Sequence, residues 1–538
     1  MIKPIHSTRD FHSPGRSPVI AENGMIATSH PLSSAVGLKV LQEGGNAIDA
    51  AIAAIAVQGV VEPQSTGIGG DCFALLSRNG SGPVFGLNGS GRSPGRATLA
   101  QAKAALGENA RHIPRTSAWA VPVPGAVDAW LTLLEAHGTW DIARVLAPAI
   151  DYAENGFAVH PRVQFDWHNN LDVLNSFAES KAMLTANGSA PLVGQRWAFP
   201  KLAKTMRTIA ANGRAGFYDG WVLEDMLTTL AGLGGVHSAD DFGATRSNWV
   251  EPIGVDYRGY QLSEIPPNGQ GLVALMMLKI LKNVPVGSAP VCAERFHYQT
   301  EAAHLCYTDR NSFIAEGMGH LVKDLLSDER ARLSQAMINS ETTLAPLIAP
   351  RPLKGGDTVI VSCVDRDRNA ISLINSLFNG FGSGIVSPRS GIVFHNRGQS
   401  FQLDEQHPNV LAPNKRPMHT IIPAMLSKDS RIQAAFGVMG GDYQPQGQVQ
   451  ILTAMLDHGL DIQTAIDLPR LYANASAGMV EIDPTMPEHI IAALQRKGHK
   501  LERTRTPHGG AQGVWIDHEQ GYLWGGSDPR KDGCAIGY

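Results

Sequence analysis

Two β-rich runs joined by a short polar turn constrain this chain more than any other feature. Thr358 to Val364 is crowded with β-branched residues, Asp365-Arg366-Asp367-Arg368-Asn369 is polar, and Ala370 to Leu377 is β-rich again. The pattern reads as an antiparallel hairpin. If the turn centres on Asp367, Thr358 stands opposite Ser376. Their Cβ atoms would then be about 4.5–5.5 Å apart on one face. A slip of one residue would turn every side chain to the other face.

That pairing has a chemical use. A Thr hydroxyl is a poor nucleophile without a base. The α-amine of an N-terminal Thr, with a reference pKa of about 7.7–8.0, suits a general base near neutrality. The amine exists only if the bond between Asp357 and Thr358 is broken. Upstream, Asn339 to Gly356 holds Pro346, Pro350, Pro352 and the pair Gly355-Gly356. It reads as an exposed linker, the kind of segment that tolerates cleavage. Ser376 is then placed to orient the amine. Further on, Gly440-Gly441 follows the apolar run Ile432 to Phe436. Glycine lets backbone N–H groups turn toward a ligand, and two of them can form an oxyanion hole. Taken alone, a Gly pair after a strand is more often only a turn.

The surrounding pattern predicts layers. Residues 29 to 45 read as a helix capped by Ser29, with Pro31 in its first turn and Gly44-Gly45 at its end. Asn46 opens an Ala-rich helix to about Gln58, apolar nearly all round and therefore buried. Pro63 to Gly70 is a Gly-rich turn, and Thr116 to Ser340 reads as mostly helical. Strands are expected at 391–394 and 432–438, and helices at 445–457 and 487–497. Helices, then hairpins, then helices again imply two sheets covered by helices. For 538 residues, length alone suggests roughly three domains, although large layered α/β enzymes fold as one unit.

Composition removes several function classes. Net charge is −4 with mixed signs and no long basic run, so the chain has no electrostatic footprint for nucleic acid. Cys72, Cys292, Cys306, Cys363 and Cys534 form no Cys-x-x-Cys pair, which argues against a disulfide framework and a structural zinc site. No metal or cofactor is expected. Glu301-x-x-His304 has di-metal helix spacing but no second motif, and reads as a solvated helix face. Residues 380–384, GFGSG, lack the Gly-Lys-Ser/Thr of a phosphate loop, and no G-x-S-x-G elbow occurs. The N-terminus has no apolar core of a secretory signal, and Ala50 to Val57 is too short to span a bilayer. A cytoplasmic location and no membrane partner are the expectation.

At these residues the chain resembles the γ-glutamyltransferase (γ-glutamyltranspeptidase) family. The motifs run nearly end to end: GGNAIDAA at 44–51, STGIGGD at 65–71, VPGAVDAW at 123–130, DYRGYQL at 256–262, PPNGQG at 266–271, YTDR at 307–310, the hairpin at 357–373, FGSGIV at 381–386, PNKRP at 413–417 and MGG at 439–441. The resemblance implies a four-layer αββα sandwich of the N-terminal-nucleophile hydrolase type. It implies self-cleavage between Asp357 and Thr358 into a large chain, 1–357, and a small chain, 358–538, that stay together as a heterodimer. A higher oligomer is left open. It also implies Thr358 as nucleophile, Ser376 in place of the Thr that contacts its amine, and Gly440 and Gly441 as the oxyanion pair.

The substrate positions depart from the family. Where the family's Arg for the substrate α-carboxylate is expected, this chain has Ser90, with Arg92 two residues on; its Ser-Ser pair is His419-Thr420 here. The three positions that hold the α-ammonium are Phe378, Arg397 and Ser400. The loop from Ser400 to Pro413 is short, which implies that the family's lid is missing. An ammonium beside Arg397 would be repelled, at about 4 kcal/mol for charges 4 Å apart and an effective dielectric of 20. The pocket is therefore expected to take an acyl group bearing an anion, oxamate-like or glutaryl-like, with Arg397 and His419 as donors. The alternatives are a glutathione hydrolase or γ-glutamyl transferase, and a non-processing homologue with a binding role. Arg416 serves the fold equally well on the sequence alone, and Cys363 reads as core.

Overall fold

The computed structural model describes residues 9, 11–12, 15–344, 357–474 and 478–538. The Pro- and Gly-rich stretch 345–356, on which the linker expectation rests, lies outside the described residues.

The chain folds as an αββα sandwich. One seven-stranded antiparallel sheet runs Cys534–Gly537, Met25–Thr28, Asp357–Val364, Ala370–Phe378, Asp71–Ser77, Phe85–Gly89, Asn248–Val250. The other runs Val19–Ala21, Tyr522–Ser527, Gly510–Asp517, Arg431–Met439, Ala424–Lys428, Tyr260–Glu264, Ile253–Tyr257. Phe73, Ile360, Ile374, Ile421, Met439 and Val514 fill the layer between them. On the outer face of the first sheet, Val359, Val361 and Cys363 pack against the helix Ala47–Val61. On the outer face of the second, Phe436 and Val438 pack against the helices Gly271–Leu281 and Gln444–His458. The period of two along Asp357–Val364 thus sends odd residues to the helices and even ones between the sheets.

The helix Ala47–Val61 is buried at every position, and its start matches its sequence. The Asn46 side chain accepts from the N–H groups of Ile48 and Asp49, and Asp49 accepts from the Asn46 N–H, a reciprocal capping box. The preceding helix, Pro31–Gln42, differs from expectation at its cap. His30 caps it through Nδ1, because the Ser29 hydroxyl donates to the buried Glu62 carboxylate instead.

Three further expectations are corrected. The segment 248–264 contributes three strands within a region read as helical; Arg258 and Gly259 both take positive φ in a two-residue turn between Ile253–Tyr257 and Tyr260–Glu264. Residues 391–394 form only an isolated bridge, Val386 with Val393, because their backbone faces the Gly-rich turn, where His395 N donates to Gly69 O. Glu301 is not on a solvated face. It is fully buried, since Glu488–Arg496 and Leu471–Asn474 cover the helix Ala293–Phe313.

The turn before Asp71–Ser77 presses on the hairpin at Gly70. A Cβ there would lie 2.4 Å from the Ser376 carbonyl oxygen, and backbone cannot rotate away. Gly70→Ala is expected to destabilise the protein by roughly 1–3 kcal/mol, the usual cost of overpacking. Urea unfolding measures it, and an unchanged midpoint would contradict the close packing described.

Candidate active site

The hairpin register is the one that a turn centred on Asp367 requires. Ser362 pairs with Ser372 and Val359 with Asn375, with an irregularity at Thr358. Thr358 Oγ1 lies 3.1 Å from Ser376 Oγ, and both residues are buried. Ser376 Oγ accepts from the Phe378 N–H at 2.8 Å and from Arg397 Nη2 at 3.5 Å. N–H donors on that oxygen favour Ser376 as the O–H donor toward Thr358.

Phe378 ends the strand with φ of +79°. A bulky residue in that region is strained, at a cost of order 1–3 kcal/mol. The strain accompanies a stacking contact: the Arg397 guanidinium carbon lies 4.0 Å from the Phe378 ring centroid. Arg397 is fully buried at the start of the short 3₁₀ turn Arg397–Ser400. Its Nη1 donates to Thr420 Oγ1 at 2.7 Å, and its Nε has no acceptor among the described residues. No described carboxylate lies within ion-pair distance of it. Burial pushes its pKa down to about 9, against the distant charges of Asp71 and Asp442. A buried cation held by hydroxyls and an aromatic face, with an N–H to spare, has the chemistry to receive an anion.

Gly440 and Gly441 follow the strand Arg431–Met439. They have φ of +121° and +58°, conformations that other residues adopt only with strain, and a Cβ on Gly440 would lie 3.0 Å from Gly509 Cα. Gln270 ties this turn to the Arg397 side, because its Nε2 donates to Gly441 O at 2.9 Å and to Thr420 O at 2.8 Å. Arg310 in turn donates to Gln270 Oε1 and to Asp442 Oδ1. Gln270, Arg310 and Asp442 were not singled out from sequence, although the first two lie inside quoted motifs and Asp442 directly follows one; nothing in a single sequence distinguishes a polar residue that will be buried.

The remaining expected substrate contacts are engaged within the protein. Arg92 pairs with Glu316 at 2.7 Å and donates to Asn414 O. Ser90 donates to Asn88 Oδ1, and Ser400 Oγ donates to the Arg397 and Met418 carbonyls. Arg416 donates to Ser90 O and Arg246 O, a structural role. His419 Nε2 lies 3.0 Å from Asp71 Oδ2, and its Nδ1 accepts from Ile421 N. Both ring nitrogens are thus occupied, and His419 offers no donor to a substrate in this conformation. Burial first, then the charge of Arg397, push its pKa down to about 3, so the ring is neutral.

Asp71, opposite Ser376 in the neighbouring strand, was also missed. Burial alone would raise its carboxyl. His395 Nδ1 at 3.3 Å and the His419 hydrogen bond outweigh burial and hold it well below the ordinary range. Because the folded-state pKa is depressed, this contribution is complete above the ordinary carboxylate value and is lost as pH falls below about 4. Asp71→Asn is expected to cost roughly 1–3 kcal/mol at pH 7, the cost of losing a hydrogen bond to a charged acceptor, and to flatten the acid limb of a stability–pH curve. An acid limb identical to the parent's would contradict the assignment.

A family model described as Gamma-glutamyltranspeptidase matches residues 33–538. The chain is 36% identical to the glutathione hydrolase-like YwrD proenzyme of Bacillus subtilis, over 96% of this chain and 99% of that one. It is 33% identical to the oxamate amidohydrolase proenzyme of Klebsiella pneumoniae, with 96% and 99% covered. The crystal structure of a cephalosporin acylase from Bacillus halodurans superposes with a TM-score of 0.91 at 39% identity, covering 99% of each chain.

Proposed function

The chain belongs to the γ-glutamyltranspeptidase family and is an N-terminal-nucleophile amidohydrolase; we propose that it cleaves itself before Thr358 and hydrolyses amides of a small, anionic acyl group. The observation that carries this reading is the buried Arg397 guanidinium, without a described carboxylate partner, joined to Thr358 through the Ser376 hydroxyl.

In this reading the freed amine of Thr358 takes the hydroxyl proton as Oγ1 attacks the amide carbon. Ser376 orients that amine. The N–H groups at Gly440 and Gly441 receive the oxyanion, the protonated amine gives its proton to the leaving nitrogen, and water then releases the acyl group. Arg397, with Thr420 and Phe378 holding it, binds the acyl carboxylate. Arg397 itself sits two hydrogen-bond steps from the nucleophile, and the carboxylate one step beyond it. The spacing favours a carboxylate close to the scissile carbonyl, as in an oxamate-like acyl group, over a long glutaryl chain. The names of the oxamate amidohydrolase and acylase proenzymes similar to this chain support the same class. An α-ammonium on the substrate would face Arg397, which disfavours a free γ-glutamyl group.

Two outcomes test this. Rates on oxamate, glutaryl and γ-glutamyl amides should fall in that order, and Arg397→Met should lower kcat/KM for the anionic amides roughly a hundredfold while leaving the folded state intact. A clear preference for γ-glutamyl substrates would point to the glutathione hydrolase alternative. Activity should rise with pH through about 8 as the amine loses its proton. Activity that does not change through that range would contradict the amine as the base.

A further inference from the structure

The helix Ala293–Phe313 carries a cluster that plays no part in the chemistry above. His297 and Glu301 lie one turn apart on its buried face, and His499 reaches them from beyond the helix Glu488–Arg496. One ligand atom from each lies within 4.8 Å of the others. His304, one turn on, places Nδ1 3.7 Å from Glu301 Oε1 and is partly open to solvent. The sequence showed only Glu301-x-x-His304; the partners that it lacked are a histidine one turn earlier and another nearly two hundred residues away.

The hydrogen bonds of this cluster fix where its protons lie. His297 Nε2 lies 2.7 Å from the Asn339 carbonyl oxygen. A carbonyl only accepts, so Nε2 carries the hydrogen and Nδ1 is a lone pair. That lone pair lies 2.7 Å from His499 Nε2, which must therefore donate to it. In a neutral ring His499 Nδ1 is then a second lone pair, and it faces Glu301 Oε1 at 3.9 Å with no proton between them. The Glu301 oxygens already accept from Thr343 Oγ1 at 2.8 Å and Leu344 N at 2.6 Å. Among the described residues, two acceptors thus face each other across the cluster.

We propose that His297, Glu301 and His499 bind a divalent transition metal ion of the zinc class, with His304 or water in the fourth position. Two imidazoles and a carboxylate are the donor set that such ions select. The Asn339 carbonyl, Thr343 and Leu344 supply the outer hydrogen bonds that fix tautomer and carboxylate orientation. The ion would take the place of the hydrogen between the two rings, which part slightly to admit it, and that hydrogen moves from His499 Nε2 to its Nδ1. His297 and Glu301 precede residue 357 and His499 follows it, while Asn339, Thr343 and Leu344 belong to the last described residues before 345. The ion would therefore staple the tail of the first segment to the second, whether or not the bond before Thr358 is broken.

The test uses the purified full protein, stripped by a chelator and titrated with Zn2+ and with Co2+. Elemental analysis should find one ion per chain, and Co2+ should give the visible absorption of a four-coordinate N/O site. The thermal midpoint should rise with free metal. His499→Gln keeps a donor toward His297 but is a poor ligand, and Glu301→Gln keeps an acceptor toward Leu344. Each should retain the metal-free circular dichroism spectrum and weaken binding at least tenfold. Full metal affinity in both folded variants, or no stoichiometric binding by the parent, would overturn the proposal and leave a hydrogen-bonded histidine pair. Should either variant fail to fold, loss of the Co2+ spectrum on adding stoichiometric Zn2+ to the parent would support one shared site. Its persistence would count against that.

Discussion

The register between Asp357–Val364 and Ala370–Phe378 is the constraint on which the rest depends. It sends Val359, Val361 and Cys363 into the helix layer, and Thr358, Ile360 and Ser376 to the face between the sheets. A shift of one residue would bury the hydroxyls among the alanines of Ala47–Val61 and carry the branched aliphatic residues to the site. The Gly70 contact with the Ser376 carbonyl holds this register from one side, and the Ser362 hydrogen bond to Gln512 O holds it from the opposing sheet.

Around that hairpin the fold assembles charges that burial should disfavour. Arg397 and Asp71 both lie in the interior near Ser376, and neither forms an Arg–carboxylate pair among the described residues. Asp71 is stabilised by two histidines and the Gly91 N–H. Among the described residues, Arg397 has only Thr420, Ser376 and the face of Phe378. A desolvated cation over a ring gains about 2 kcal/mol, far less than the several kcal/mol that burying an ion costs. In the proposed function, an anion entering the site would offset the deficit left at Arg397.

Much of this was legible in the sequence, for physical reasons. The hairpin was readable because β-branched runs on either side of a polar turn admit few registers, and Asn46 was readable because a capping box is local. The strands at 253–264 were missed because their turn uses Arg258 at positive φ, where Asn or Asp would have signalled it. Glu301 and His419 were misjudged for the opposite reason: their partners, Thr343 and Leu344 for one and Asp71 for the other, are set by tertiary packing that no local pattern carries. Arg397 was visible only as a residue out of keeping with the family's pattern; its burial and its stacking on Phe378 needed the folded chain.

The central claim is that Thr358 acts with its own α-amine. Intact-mass and N-terminal sequencing of active protein test it most directly. The account predicts two chains, with the smaller beginning Thr-Val-Ile-Val and comprising residues 358–538, and an acyl adduct on that chain during turnover. Full activity in an unbroken chain, whose Thr358 nitrogen is an amide, would contradict it.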